Sequence, residues 1–183
     1  MTDKEKSPWV ILEQEVKYDN SWITVVEYDV LNPKGGKGIY GKVHFKNLAI
    51  GIVALDSENN IYLVGQFRFP LDQYSWEIPE GGGPLGIDPL ESARRELLEE
   101  TGLKAEKWEK LLEMHLSNSV SDEFGIIYLA TQLSQHQAMP EDTEDLMIRK
   151  LSFANAYEML CRGEITDSLT VAALLRMKLM LTE

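Results

Sequence analysis

The segment "ARRELLEETG", Ala93 to Gly102, places three glutamates within five positions of a predicted helix. Glu96, Glu99 and Glu100 would share about one-third of the helix circumference, because each residue turns by about 100°. Like charges four residues apart normally destabilise a helix, and the chain already carries a net charge of −12. The ordinary interpretation is a solvated acidic face with an ion pair between Arg95 and Glu99. The residues that flank the helix favour a binding site instead.

The segment before the helix is predicted to bring backbone close to these carboxylates. "WEIPEGGG", Trp76 to Gly83, predicts the end of a strand and a glycine loop whose backbone can approach a ligand closely. Asp88 is the predicted N-cap, Pro89 the first helical residue and Gly102 the C-terminal stop. A strand, a glycine loop and a capped helix would present carboxylates beside exposed backbone. This arrangement suits Mg²⁺, which takes oxygen ligands and retains several waters.

The run from Gly81 to Leu103 resembles the Nudix box, G-x5-E-x7-R-E-U-x-E-E-x-G-U, where U is an aliphatic residue. Gly81 and the segment "RELLEETGL" fall on its fixed positions, and the one departure is Ile87 in place of the first glutamate. The pattern spans 23 residues with many fixed identities, so the resemblance is specific. It implies a Nudix hydrolase.

The resemblance also implies a divalent metal site, with Mg²⁺ as the expected ion and Mn²⁺ as the alternative. Glu96 and Glu100 would be the most constant ligands, and Glu99 a further acid with both metal-binding and catalytic roles. The backbone carbonyl of Glu80 would complete the site. Metal ions held there would neutralise pyrophosphate oxygens and lower the pKa of a bound water. Ile87 leaves these central ligands in place.

The order of apolar segments predicts an α/β/α sandwich. "WITVVEYDVLNP" and "GIYGKVHFK" predict strands joined by a glycine-rich turn, and "LAIGIVALD" and "IYLVGQFRF" a second strand pair around "SENN". "FGIIYLATQL" and "MIRKLSF" are later strands, and two helices finish the chain, with Asp167 as the N-cap of the last. Strands interleaved with helices imply helical layers on both sides of a sheet.

The N-terminal strands extend this sandwich and resemble those of the ADP-ribose pyrophosphatase branch of the Nudix family. Members of that branch often dimerise by exchanging these strands. The resemblance therefore implies N-terminal, dimer-forming antiparallel strands over residues 1–45 and a Nudix hydrolase domain over residues 46–183. The expected protein partner is a second copy of the chain.

Three further segments are similar to substrate-binding parts of the same branch. Ser117, Ser121 and Glu123 of "SNSVSDE" fall on positions of the S-P-G-x-x-S-E stretch, which implies substrate contacts. "QFRFP" resembles Q-Y-R-Y-P and implies that Arg68 lies near phosphate or ribose; a rim arginine at a strand end is the alternative. Trp22 stands where the branch supplies an aromatic that stacks on the nucleobase from the partner subunit; a core tryptophan is the alternative.

The acidic loop "PEDTED" contains the candidate general bases. A well-placed carboxylate contributes about 10²–10⁴-fold to the rate, and in this branch the base usually comes from a mobile acidic loop outside the box. Glu144 is the first choice and Glu141 the second. The alternative is that these acids only keep the loop soluble.

Composition restricts the compartment and the partners. With 183 residues and 44% hydrophobic content, one domain is the default. No segment approaches 18 uninterrupted apolar residues and no secretory leader is evident, so a cytoplasmic protein without a membrane partner is expected. The net charge of −12 argues against nucleic-acid binding. Cys161, the only cysteine, excludes an internal disulfide and is predicted to be a buried filler.

The predicted function is Mg²⁺-dependent hydrolysis of the pyrophosphate bond of a nucleoside diphosphate sugar. ADP-ribose would give AMP and ribose 5-phosphate, and another nucleotide sugar would give a nucleoside monophosphate and a sugar phosphate. One alternative is a nucleoside triphosphate pyrophosphohydrolase. The other is a nucleotide-binding sensor with weak catalysis, which only Ile87 supports.

Overall fold

A computed structural model describes residues 6–138 and 145–181. Within these residues the chain forms ten strands and three α-helices. The strands are β1 (Val10–Asp19), β2 (Ile23–Leu31), β3 (Lys37–Phe45), β4 (Asn47–Ala54), β5 (Asn60–Arg68), β6 (Gln73–Glu77), β7 (Glu80–Pro84), β8 (Leu103–His115), β9 (Phe124–Gln135) and β10 (Met147–Ser152). The helices are α1 (Pro89–Thr101), α2 (Phe153–Cys161) and α3 (Ser168–Met180).

The central sheet has four strands in the order β7-β4-β9-β8. β4 runs parallel to β9, with Ile50 opposite Ile126, and β8 is antiparallel to β9. Side chains along a strand alternate between the two faces of a sheet. Both faces of β4 and β9 are apolar, so this sheet needs a packing layer on each side.

Two hydrophobic cores meet this need. On one face, Ile50, Ile52 and Ile126 pack with Ala93 and Leu97 of α1. On the other face the core combines strand residues with residues of α2 and α3, among them Val53, Ile127, Met159, Leu174 and Met177. The predicted α/β/α sandwich is therefore confirmed.

The second sheet of this sandwich has three antiparallel strands in the order β10-β5-β6. The predicted pairing of β4 with β5 is wrong. The chain does reverse at the turn between them, where Asp56 accepts hydrogen bonds from the backbone of Glu58 and Asn60. A bridge between Leu55 and Ile61 lies next to this turn, and beyond it the two strands enter different sheets. A turn signal reports chain reversal, whereas pairing depends on partners far along the sequence.

The glycine segment is also more regular than predicted, because Glu80–Pro84 forms strand β7 at the edge of the central sheet and not a loop. A Cβ atom at Gly83 would lie 2.8 Å from Cγ1 of Ile50. Since real Cβ atoms are not found so close to another side chain, glycine at this position lets β7 pack directly on β4.

The predicted ends of α1 are confirmed. The side chain of Asp88 accepts a hydrogen bond from the Leu90 backbone at 3.0 Å, with Pro89 in the first helical position. Gly102 ends the helix with φ 69°, a left-handed conformation that favours glycine, and its N–H donates to the Leu98 carbonyl. These caps hold the acidic helix at a defined length.

The described residues up to 47, together with residues 117–123, form one compact unit, and the other described residues form a second. The first unit contains the antiparallel sheet β1-β2-β3. β2 and β3 are joined by the predicted turn, in which Asn32 accepts hydrogen bonds from Lys34 and Gly36. The inclusion of residues 117–123 makes this unit discontinuous in sequence.

The prediction for Cys161 is wrong, because this residue is exposed. It ends α2 two positions after Met159, which contributes to the core together with Phe153 and Ala156. Among the described residues, none of the helices has the length and apolar character of a membrane-spanning segment.

Candidate metal and catalytic site

The acidic face of α1 lies against β7. Glu96 and Glu100 are buried, with 7% and 3% of their surface exposed, and the Glu99 side chain is 27% exposed. A Cβ atom at Gly81 would lie 2.2 Å from the carboxyl carbon of Glu96. The backbone N–H of Glu80 donates to Oε2 of Glu100 at 3.0 Å. The backbone of β7 therefore lies in direct contact with the predicted metal-binding acids Glu96 and Glu100.

Arg95 is the counter-charge of these acids. It donates to Glu96, to Oε2 of Glu99 at 2.6 Å and to the carbonyl of Gly82 at 2.9 Å. Burial lowers the pKa of Arg95, but the negative charges of Glu96 and Glu99 raise it above its ordinary value. The predicted Arg95–Glu99 ion pair is thus present, and the same guanidinium joins α1 to β7.

A second group of acids lies beside the first and was missed by sequence reasoning. Glu77, Glu80 and Asp167 each offer a carboxylate oxygen, and these three atoms lie within 4.8 Å of one another. Glu77 is 3% exposed. Arg68 donates to Glu77 at 2.5 Å and to Glu80 at 2.6 Å. The one available signal was Glu77 itself, a charged residue between the apolar residues Trp76 and Ile78.

The carboxyl group of Glu80 is held in an unusual environment. Burial raises its pKa, and the negative charges of Asp167 and Glu77 raise it further, so that the pKa lies well above its ordinary value in spite of Arg68. Its Oε2 atom is buried and accepts no hydrogen bond from any residue that the structure describes. Burial lowers the pKa of Arg68, and the hydrogen bond and charge of Glu77 reverse this effect. The site therefore carries more buried negative charge than its arginines balance.

The residues present fit a hard divalent cation. In the described part of the chain, six carboxyl groups stand against two guanidinium groups in this region, and all six offer the oxygen ligands that Mg²⁺ and Mn²⁺ prefer. Glycine at position 81 leaves the Glu96 carboxylate room beside the β7 backbone. The six acids are Glu77, Glu80, Glu96, Glu99, Glu100 and Asp167.

The predicted substrate-binding residues fall in both compact units. Arg68 belongs to the unit that holds the acids, and its guanidinium is engaged with Glu77 and Glu80. Trp22, Ser117 and Glu123 belong to the other unit. Trp22 is 60% exposed, which excludes the alternative of a core tryptophan.

The segment that contains Ser117 and Glu123 is attached to β3. The N–H of Val43 donates to the Val120 carbonyl at 2.9 Å, and Asp122 accepts from the backbone of Phe45 at 2.9 Å. Partial burial raises the pKa of Asp122, but the hydrogen bonds that its carboxylate accepts from His44, Phe45 and Lys42 lower it to about 2. Asp122, which sequence reasoning did not select, therefore anchors the segment to the sheet.

Comparison with known proteins agrees with this arrangement of strand, glycines and acidic helix. The NUDIX domain family matches residues 45–171, more than half of the chain, and the chain belongs to this family.

The predicted general bases, Glu141 and Glu144, lie outside the residues that the structure describes.

Individual relatives have related names. The chain is 36% identical over 131 residues to an ADP-ribose pyrophosphatase of Mycobacterium tuberculosis, an alignment that covers 69% of this chain and 63% of the relative. It is 33% identical over 128 residues to the Bacillus subtilis ADP-ribose pyrophosphatase, covering 69% of each chain. The alignment thus spans a little under two thirds of the first relative's length.

A solved structure titled as an ADP compounds hydrolase superposes with a TM-score of 0.85 at 21% identity, covering 95% of this chain and 94% of the other. At this level of identity the similarity establishes the fold. Its extent over nearly the whole chain includes the N-terminal strands.

We predict that Glu100→Gln lowers the affinity for Mn²⁺ at least about 100-fold, because it replaces a buried carboxylate that is expected to bind the cation with a neutral amide. The amide oxygen can still accept the Glu80 N–H, so the fold should persist and Tm of the metal-free protein should not fall. Calorimetric titration with Mn²⁺ and thermal unfolding measure the two effects.

Glu91→Gln is the matched control, since Glu91 lies in the first turn of the same helix with a 62% exposed side chain. It should bind Mn²⁺ like the wild type. Wild-type affinity in Glu100→Gln would contradict the assignment of Glu100 as a ligand.

Proposed function

We propose that this protein is a Mg²⁺-dependent hydrolase that cleaves the pyrophosphate bond of a nucleoside diphosphate sugar, with Mn²⁺ as an alternative ion. The products are a nucleoside monophosphate and a sugar phosphate. The observation that carries the proposal is the buried pair Glu96 and Glu100, which lies against the glycine strand β7 in a chain of the Nudix family. The names of two relatives, both ADP-ribose pyrophosphatases, support this substrate class.

The contribution of the chain to the reaction is mainly positioning. Glu96 and Glu100 would hold the cation, with Glu99 and the backbone carbonyl of Glu80 as further ligands. When bound, a divalent cation neutralises the pyrophosphate oxygens and lowers the pKa of the attacking water. Arg95 and the Glu80 N–H already fix the carboxylates by hydrogen bonds, so little reorganisation is required during the reaction.

The substrate contacts that we propose are those implied by the resemblance to the ADP-ribose pyrophosphatase branch. Arg68 has a side chain that is 34% exposed, which leaves room for a contact with a phosphate oxygen. Ser117 and Glu123 would contact the sugar side of the substrate. Trp22, which is exposed, would stack on a nucleobase.

Two alternative functions differ from this proposal. A nucleotide-binding sensor would be explained by Ile87, and a nucleoside triphosphate pyrophosphohydrolase would differ in its substrate. The Ile87 side chain is 53% exposed, in the turn that precedes α1. A substitution at such a position does not remove a buried ligand, and this favours a catalytic protein over a sensor. An assay with a panel of substrates distinguishes the hydrolase from both the sensor and the nucleoside triphosphate pyrophosphohydrolase.

We predict that the purified protein with Mg²⁺ hydrolyses ADP-ribose or another nucleotide sugar at least about 100-fold faster than Glu100→Gln. The assay is a panel of nucleotide sugars and nucleoside triphosphates, with phosphate measured after treatment of the products with phosphatase. Cleavage restricted to triphosphates would replace the proposal with the first alternative. Tight nucleotide binding without cleavage of any compound would replace it with the sensor.

The general base is the second part of the proposal. The metal-binding acids are engaged with the cation and with Arg95, so a further carboxylate is needed to take the proton from water. We place this role on Glu144, with Glu141 as the second choice and Glu99 as the candidate within α1. Glu144 and Glu141 lie outside the described residues. Their carboxylate chemistry and their position in the sequence support this assignment.

Glu144→Gln should lower kcat about 10²–10⁴-fold with little change in KM, because a base acts in the transition state and not in substrate binding. Steady-state kinetics at saturating Mg²⁺ measure the effect, with Glu141→Gln as the paired control. A loss in Glu141→Gln alone would move the role to Glu141. Near-wild-type turnover in both variants would refute a base in this loop and leave Glu99.

The proposed protein partner is a second copy of the chain. β1 exposes Val10, Ile11, Leu12 and Val16, each at least half exposed. A cavity of about 360 Å³ on the same sheet is lined by Trp9, Ile11, Tyr28, Val30, Tyr40 and Lys42. Contiguous exposed apolar patches mark interaction sites. These observations support a homodimer through the N-terminal strands.

Ile11→Lys should convert the dimer to a monomer at micromolar concentration, because it places a charge at the centre of the apolar surface. Sedimentation velocity measures the change. Leu175→Lys is the matched control, since Leu175 is an exposed leucine on α3, and it should leave the dimer intact. A wild-type protein that sediments as a monomer would contradict the proposal.

A further inference from the structure

Thr170 is a fully buried polar residue, with no exposed surface, in the first turn of α3. Its hydroxyl donates a hydrogen bond to Oδ2 of Asp167 at 2.8 Å and accepts one from the backbone N–H of Ile78 at 2.9 Å. A hydroxyl has one proton to donate, so donation to Asp167 leaves its lone pairs for Ile78. Two segments 92 residues apart are thereby joined.

The cap of α3 does not by itself require this hydroxyl. Asp167 is the N-cap and accepts the backbone N–H of Thr170 at 2.7 Å, which satisfies a free donor of the first turn. The bond from the threonine hydroxyl to Asp167 is additional. Its effect is to fix the orientation of the hydroxyl toward Ile78.

Three consecutive residues next to the metal-binding acids are each held by a different element. The Ile78 N–H donates to Thr170 of α3, and the Pro79 carbonyl accepts from Ile52 of β4 at 2.8 Å. The Glu80 N–H donates to Glu100 of α1 at 3.0 Å. The position of the Glu80 backbone relative to Glu100 therefore depends on Ile78 and Pro79, the two residues that precede Glu80.

We infer that Thr170 is a positioning residue for the metal site. Its hydroxyl holds Ile78 in the segment between β6 and β7, so that the Glu80 backbone meets the Glu100 carboxylate in the geometry that a cation requires. Thr170 itself touches neither the cation nor the substrate. The inference rests on the proposed metal-dependent function. It adds a residue of α3 to the residues that support the acids of α1.

The test compares Thr170→Val with Thr170→Ser in the full-length, metal-free protein by calorimetric titration with Mn²⁺. Valine keeps the shape and removes the hydroxyl, which leaves the buried Ile78 N–H without its acceptor, so Mn²⁺ should bind about tenfold more weakly. Serine keeps the hydroxyl and should bind within about twofold of the wild type. Equal Mn²⁺ affinity for Thr170→Val and the wild type would overturn the inference.

Met177→Ala separates this effect from a general loss of stability. Met177 is buried in the core on the same helix, so the variant should lower Tm at least as much as Thr170→Val. It should keep wild-type Mn²⁺ affinity. Equal loss of affinity in both variants would show that any weakening of α3 has this effect, and would overturn the inference.

A measurement on the wild type applies even if Thr170→Val does not fold. Because coupling is reciprocal, Mn²⁺ binding should slow hydrogen exchange of the Ile78 amide, by about tenfold at saturation. Unchanged exchange would overturn the inference. A protein that shows these metal effects but cleaves no nucleotide sugar would refute the proposed function and leave the positioning role of Thr170 supported.

Discussion

The close packing of β7 on α1 is the constraint on which the site depends. Glycine at position 81 lets the strand backbone lie directly beside the Glu96 carboxylate, and glycine at position 83 lets the same strand pack on Ile50. A side chain at either position would separate the strand from the helix or from β4. The Glu80 N–H could not then reach Glu100. The hydrophobic packing of α1 through Ala93 and Leu97 sets the distance from the opposite side. The polar geometry is therefore a consequence of apolar packing and two absent side chains.

Burial of so many acids has to be compensated within the fold. An isolated buried carboxylate is costly, and proteins tolerate it by pairing, by hydrogen bonds or by binding a proton. Arg95 forms ion pairs with Glu96 and Glu99 of α1. Arg68 forms ion pairs with Glu77 and Glu80. The raised pKa of Glu80 marks the place where this compensation is incomplete. Such local imbalance is typical of functional sites, where stability is given up for chemistry.

Local signals in the sequence were sufficient for some parts of the structure. Asp88, Pro89 and Gly102 define α1 because capping depends on residues within one turn, and alternation of apolar residues located most of the other strands. The pairing of β4 and the strand character of the glycine segment depend on contacts with distant residues, and they were predicted wrongly. The cluster of Glu77 and Asp167, and its link through Thr170, joins segments about 90 residues apart. A pattern read in short windows does not contain such a link.

The parallel pairing of β4 with β9 has a consequence for the order of folding. Ile50 and Ile126 face each other across a separation of 76 residues, and long-range pairing of this kind is slow because loop closure precedes any gain from contacts. α1 lies between these strands in sequence and can form early, with its caps already in place. Its acids are then exposed and mutually repulsive until the sheet closes and α3 docks. During synthesis the proposed metal site would be among the last parts to assemble, so a truncated or partly folded chain would lack it.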